Sequence, residues 1–436
     1  MESLTMPAYA ASEDDLELAD VQETEIREDI FQAEDRGLLF CICMRKQLSN
    51  IRLGCFLSIF ILYIFKMNFL IYDRNRKGIY MQEVIMHLQS KISVSNRIDW
   101  IDCAKGAAII LTIVSHTVQN HMYGNILRGA VFSFHMPLFF ILSCMTFRCS
   151  FDQEQFRQKT KKGFKHLLMP AFITYIILTF AAVLENTDLL FSAEYWKARI
   201  FTLIFASGVK TVYGSMEVPA LGMAWFFFAL FLGRTLFDFL HLQLDDFQLA
   251  VNCVILSLVG IILGNNQWLP FSLDIVFAVM PFLYIGYYSK NCSFEKHAVR
   301  KACIWFAIWM VTLWITYPDY SSRTYLELAC RRYSVWPICY LTAVAGTFFV
   351  GECSVIVQKF TVLAKPINYL GRNSLYLLCI HILDKLWNSF WLVEGHQFVS
   401  AAKRLGIDLA VFGVFMLIKN QIRRFTSDSI KKQVVS

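Results

Sequence analysis

From Arg97 to the C-terminus the chain repeats one pattern, an apolar run followed by a short polar connection. A membrane-spanning helix needs about 20 mostly apolar residues. Ten runs approach that length: Ala104–Val118, Gly129–Phe147, His166–Leu184, Leu221–Leu240, Phe247–Leu263, Ser272–Tyr288, Ala302–Ile315, Val335–Val350, Ser374–Trp391 and Leu405–Ile418. The piece Ile200–Ala206 is too short to span and reads as re-entrant or interfacial. Short connections make neighbouring helices antiparallel, and no internal repeat of the transporter kind stands out. The pattern predicts an all-α fold, a polytopic membrane helix bundle with about ten core helices.

Composition strengthens this reading. The 436 residues are 56% hydrophobic and 17% charged, against about 45–50% and about 25% in soluble domains. Charge is unevenly placed. Met1–Arg36 holds twelve acids and two Arg, and the remaining 400 residues hold 22 acids against 39 Lys and Arg. Residues 1–50 therefore read as an acidic, disordered leader. Residues 51–96 hold another apolar run, Leu53–Tyr72, flanked by Arg and Lys on both sides. Two readings stand for it: an eleventh helix with a basic linker, or residues ahead of a native start at Met81. An apolar run that begins only at Leu53, behind acid, is not the pattern of a signal peptide.

Lys and Arg also set an orientation. With the segment before Ala104 in the cytoplasm, the basic stretches Arg148–Lys165 and Lys290–Lys301 and the tail, residues 426–436, fall on the same side. Arg331 and Arg332 are the exception. The expected address is the cell membrane, with both core termini cytoplasmic. The basic excess lacks the contiguous soluble stretch that a nucleic-acid surface requires. Thirteen Cys are scattered singly, with no C-x-x-C pair or zinc spacing, so they read as small apolar residues and no metal site is expected.

Ionisable side chains inside a bilayer are costly, which makes each a functional candidate. Here they are Lys105, His116, His135, Arg234, Asp238, Asp274, His381, Asp384 and Asp408. Lys105 and His116 are eleven residues apart, close to three helical turns, so they share one face with Ile109 and Thr112, about 16 Å apart along the axis. Asp102 lies within pairing distance of Lys105 on a helix, and Arg97 and Asp99 add charge nearby. Plainer readings stand beside these. Lys105 could snorkel to the interface, and His116 could be a hydrogen-bonded structural residue. His135 could satisfy a carbonyl freed by Pro137, and Arg234 and Asp238, at i and i+4, could neutralise each other. Trp225, Trp268 and Trp336 could stack on a sugar or belong to an interfacial belt.

Four segments resemble motifs of the membrane acyltransferase family 3 proteins. RIDWIDCAKGAAIILTIVSH, from Arg97 to His116, resembles the opening motif, a basic residue and a His separated by ten residues; Lys105 and His116 fit it. FHMPLFFILS, from Phe134 to Ser143, resembles the second, although Cys144 stands where Gly is usual. AWFFFAL, from Ala224 to Leu230, resembles the Trp-Phe motif of a middle helix, and LGRNSLYLLCIH, ending at His381, the late motif. The Asp-x-x-Lys-Gly run looks most like the fucose 4-O-acetylase-like branch.

The resemblance implies a transmembrane acyltransferase domain over 97–425. It implies transfer of an acetyl group from acetyl-CoA to a hydroxyl of a carbohydrate acceptor, a cell-surface polysaccharide or glycoside. His116 would be catalytic as base or acylated nucleophile, with His135 assisting. Lys105, Arg97, Asp102, Arg372 and Ser374 would contact the donor. The competing readings are a secondary transporter or flippase for a glycan-type solute, and a structural membrane scaffold.

Overall fold

A computed structural model describes residues 97–118, 122–213, 216–266, 268–291, 294, 296–317 and 325–435. The acidic leader and the 51–96 segment lie outside the described residues. The rest is helical: α1 (Asp99–Thr117), α2 (Met122–Phe132), α3 (His135–Met145), α4 (Gln153–Gly163), α5 (Met169–Glu185), α6 (Ala193–Phe205), α7 (Trp225–Gln243), α8 (Asp246–Asn266), α9 (Leu273–Ala278), α10 (Met280–Tyr288), α11 (Ala298–Thr316), α12 (Ile338–Val357), α13 (Thr361–Arg372), α14 (Ser374–Leu383), α15 (Asn388–Trp391) and α16 (Gln397–Val435). A short antiparallel hairpin, Thr211–Tyr213 against Met216–Val218, is an addition to the all-α expectation.

Among the described residues, six helical stretches are long and apolar enough to cross a membrane, and a seventh is the pair α9–α10, bent by 51°. These cover seven of the ten expected spans. The other three fall on α1, α14–α15 and α16, outside that set. The run expected from Ser374 to Trp391 is broken: α14 ends at Leu383 and a 3-10 turn, Asp384–Trp387, follows. The basic stretch before His166 is helix rather than loop. The Asp152 side chain caps α4 by accepting from Gln155 N at 2.7 Å, and helix then runs through a π-turn at Phe164–Leu168 into α5. One side of α5, with Ile173, Ile176, Ile177 and Phe180, is exposed, as is expected where lipid is the solvent.

α1 is the hub, with α2, α3, α12, α13, α14 and α16 all packed on it. Close approach of α13 requires glycine on both sides. A Cβ at Gly106 would strike the Ile367 carbonyl, and one at Gly371 the Asp102 carbonyl. Small residues let membrane helices come into backbone contact in this way. Cys144 raised the question whether α3 could pack closely at the second motif. The glycine there is on the opposing helix: a Cβ at Gly286 of α10 would strike the Ile141 carbonyl and lie 3.0 Å from Cys144 Cβ. All nine cysteines among the described residues are unbonded thiols.

Arg331 and Arg332, which ran against the charge pattern, are each held by an acid. The buried Arg331 guanidinium donates to Asp274 at 2.6 Å and to Ser207 Oγ at 3.1 Å and Ser272 Oγ at 3.2 Å, and lies 3.9 Å above the Trp268 ring. Arg332 pairs with Glu327 at 3.4 Å. Asp274, assigned to the intramembrane ionisable set, is thus one side of a structural strut joining three inter-helix segments. Arg331→Ala should strand the Asp274 carboxylate in an apolar surround and cost about 3–5 kcal/mol. Thermal unfolding of the detergent-solubilised protein reads this as a lower midpoint; an unchanged midpoint would refute the strut.

Candidate active site

Near the C-terminal end of α1 a cavity of about 170 Å³ opens between α1, α3, α7 and two inter-helix segments. Ile109, Thr112 and His116 line it from one face of α1, the stripe that helical periodicity predicted. The partition of α2 from α3 supplies the opposite wall. Helix stops at Phe132 and restarts at His135, so Pro137 sits in the first turn of α3, where its missing N–H breaks no internal bond. His135 lines the cavity from that break, and its Nδ1–H donates to the Val131 carbonyl at 3.1 Å. A carbonyl only accepts, so Nδ1 carries the proton and Nε2 of the neutral ring keeps its lone pair. The carbonyl satisfied is that of Val131, four residues back, and the same ring also serves the cavity.

Three imidazoles gather here. The His116 ring lies 6.5 Å from that of His135 and 5.9 Å from that of His381, centroid to centroid. His381 is fully buried on α14. Its Nδ1 lies 3.0 Å from Asp384 Oδ2 and 3.0 Å from Asp408 Oδ2. Both neighbours are carboxylates, so Nδ1 carries a proton, and Nε2 has no hydrogen-bond partner among the described residues. Arg404 of α16 closes the network, donating to both Asp384 oxygens at 2.6 and 2.9 Å and to Thr117 Oγ1, at the end of α1, at 3.1 Å. Donor atoms of His381, Asp384 and Asp408 lie within 4.8 Å of one another, a set that could hold a cation. The Arg404 guanidinium already engages Asp384, so the cluster reads as a buried ion-pair network behind His116.

The opposite end of α1 holds a different arrangement. Arg97 Nε donates to Asp102 Oδ2 at 2.6 Å, and Arg372 donates to the same oxygen at 3.1 Å and to Asp99 at 2.7 Å. The Gly106–Gly371 contact brings Arg372 there. Asp102 lies within helical pairing distance of Lys105, yet its bonds go to the two arginines, because a guanidinium meets a carboxylate along two edges and an ammonium does not. Lys105 is half-buried and makes no hydrogen bond or ion pair among the described residues. Ser374 begins α14, with no bond tying it to this cluster. Arg97, Asp102 and Arg372 are therefore brought together, Lys105 stands beside Asp102 unpaired, and Ser374 is apart.

Two other expectations resolve differently. Asp238 accepts from the backbone N and the hydroxyl of Ser150 at 2.6 and 2.7 Å, and Arg234 stacks 4.4 Å above Phe147. No ion pair joins Arg234 to Asp238 among the described residues. Of the three tryptophans, Trp225 lines the cavity, Trp268 carries Arg331, and Trp336 is partly exposed.

Sequence reasoning missed Arg128, Glu327 and Arg404. Arg128 sits one residue before an apolar run, Glu327 lies in a connection, and Arg404 one residue before another run, so none entered the set of intramembrane charges. His381, Asp384 and Asp408 were in that set but unranked; the i, i+3 spacing of His381 and Asp384 was the available signal.

A family model for an acyltransferase domain, of the acyltransferase 3 type, matches residues 98–418. No curated protein and no solved structure matches the chain. Helices able to cross a membrane and this match define a multi-pass membrane acyltransferase. The chain belongs to acyltransferase family 3.

The Arg404–Asp384 pair makes a stability test that needs no substrate. Arg404→Leu leaves two carboxylates sharing one imidazole and should cost about 3–5 kcal/mol. The double variant Arg404→Leu, Asp384→Leu removes the stranded charge and should lose less than the single one. Thermal unfolding that ranks the double variant below the single would show that the network is not held by this pairing.

Proposed function

We propose that this acyltransferase moves an acetyl group from acetyl-CoA to a hydroxyl of a cell-surface sugar, in the manner of the fucose 4-O-acetylase-like branch. The observation that carries the reading is α1 itself, with an unpaired half-buried lysine near one end and a cavity-lining histidine near the other. The donor is an anionic nucleotide on a long thin arm. Its phosphates meet Lys105, with Arg97 and Arg372 held ready on Asp102. The arm follows the α1 face for about 16 Å, the axial distance between the two side chains, and delivers the thioester to His116.

His116 acts as general base. It takes the proton of the acceptor hydroxyl as that oxygen attacks the thioester carbonyl. The C–S bond breaks, the sulfur leaves as thiolate, and the proton follows it from the imidazole. His135 assists, because its Nδ1–H is tied to Val131 and its Nε2 lone pair is available. The buried Asp408 and Asp384 hold the ring of His381 beside His116, as orienting carboxylates do in other imidazole sites. Donor contacts lie on the cytoplasmic side of the cell membrane and the cavity toward the opposite leaflet. Ten crossings return both core termini to the cytoplasm.

The second reading, a transporter or flippase, uses the same buried ions as solute groups. Membranes supplied with radiolabelled acetyl-CoA separate the two. Label on glycan is expected; a solute crossing vesicles with no label transferred overturns the proposal. His116→Ala should lower turnover by about 10²-fold or more while the protein stays folded and inserted, and normal turnover in that variant excludes this base. Lys105→Ala should raise the KM for acetyl-CoA by about tenfold, the loss of one charge-assisted contact, with kcat affected less. A KM that stays put would move the donor phosphates elsewhere.

A further inference from the structure

The cavity holds a cation that the reaction as written does not use. Arg128 of α2 is 7% exposed and lines the cavity with His116, His135 and Glu327. Its guanidinium lies 4.0 Å above the Phe132 ring, whose centroid is also 4.6 Å from that of His135 and 5.0 Å from that of His116. One aromatic ring thus gathers the arginine and two imidazoles. Arg128 Nε donates to the Tyr325 hydroxyl at 3.1 Å, and Nη2 reaches Glu327 at 3.5 Å, a long contact. Nη1 is buried and has no partner among the described residues. Leaving a buried charged donor unpaired is costly, and the cost is recovered when a ligand oxygen arrives.

Charge fixes the sign of that ligand. Glu327 is shared between Arg128 and Arg332, so this trio carries a net single positive charge. The nearby Arg331 is already neutralised by Asp274. The remaining wall is largely apolar, with Met136, Phe139, Phe226 and Leu328 among its residues. An unpaired guanidinium edge in an apolar recess suits an anionic oxygen, which it meets in a charge-assisted bond. We propose that the acceptor bound in this cavity carries an anionic group, the carboxylate of a sugar acid or a sugar phosphate, held by Arg128 Nη1 beside His116. This rests on the acyltransferase reading above, in which the cavity receives the acceptor.

Binding to the purified full chain in detergent tests it without turnover. Calorimetry compares methyl glucuronoside, methyl glucoside 6-phosphate and methyl glucoside. At least one anionic ligand should bind about tenfold or more tighter than the neutral one, as a hydrogen bond to a charged group provides. The ratio between the two anions identifies carboxylate or phosphate as the source. Arg128→Gln should erase the preference. Because that change also removes a bond to Tyr325, Glu327→Gln is the second variant. It keeps Arg128, deletes the competing carboxylate and should tighten the anionic ligand, whereas a merely structural pair would give weaker or unchanged binding. Equal binding of all three ligands, no binding of either anion at millimolar concentration, or a preference surviving Arg128→Gln overturns the proposal. Acetyl transfer is assayed separately on the same preparation. An anion preference without transfer leaves the binding site standing and removes only the catalytic reading.

Discussion

A polar group in an apolar bundle must find its partner within the protein, and this constraint organises the whole molecule. Arg331 is matched to Asp274 and two serine hydroxyls, Arg404 to Asp384, and Arg97 and Arg372 to Asp102. The Arg331–Asp274 and Arg372–Asp102 matches join segments far apart in the chain, and Arg404, which also reaches Thr117 Oγ1, ties α16 to the end of α1. Among the described residues, Arg128 Nη1 at the cavity, and His381 Nε2 and Asp408 Oδ1 in the network behind His116, are buried without a partner. Of these, Arg128 Nη1 belongs to a residue that lines the cavity, where an unsatisfied buried donor has room for a ligand.

α1 translates that constraint into a functional axis. Six helices pack on it, so it cannot shift without repacking much of the bundle. Its two ends are fixed differently. The first turn is held by guanidinium–carboxylate bonds from Arg97 and Arg372, the last by the Thr117 contact to Arg404. Between them runs the stripe of Ile109 and Thr112, which has no charge and faces the cavity. Helical rise sets the spacing of Lys105 and His116, and the surrounding bonds keep it.

Much of this was legible in the sequence for a simple reason. Helical periodicity is local, so Lys105, Ile109, Thr112 and His116 could be placed on one face from their spacing alone. Intramembrane ionisable residues are rare, so His381, Asp384 and Asp408 could be collected in advance. Partners were not legible, because pairing is tertiary. Asp102 lay within pairing distance of its helical neighbour Lys105, yet Arg372, 270 residues away in sequence, takes its oxygen. Arg128 and Glu327 are 199 apart, at the edge of an apolar run and in a connection, where a charge ordinarily means a solvated loop. The missing glycine at Cys144 was equally opaque, since the space it would provide comes from Gly286 on another helix.

The same rigidity bears on the choice between moving a solute and moving a group. Alternating access needs elements with two arrangements of similar energy. Here the cavity's surroundings are joined by Arg331 to Asp274, Ser207 and Ser272, and α1 is gripped by glycine-mediated backbone contact with α13. Parting Arg331 from Asp274 would leave a buried charge unpaired. A fixed helix with a cation at one end and an imidazole at the other makes no such demand. In the proposed reaction a long donor reaches along that stationary face while the acceptor stays in its own cavity, so only the acyl group has to pass between them. The cost of unpairing Arg331 and Asp274 thus counts against the transporter reading on grounds independent of the motifs.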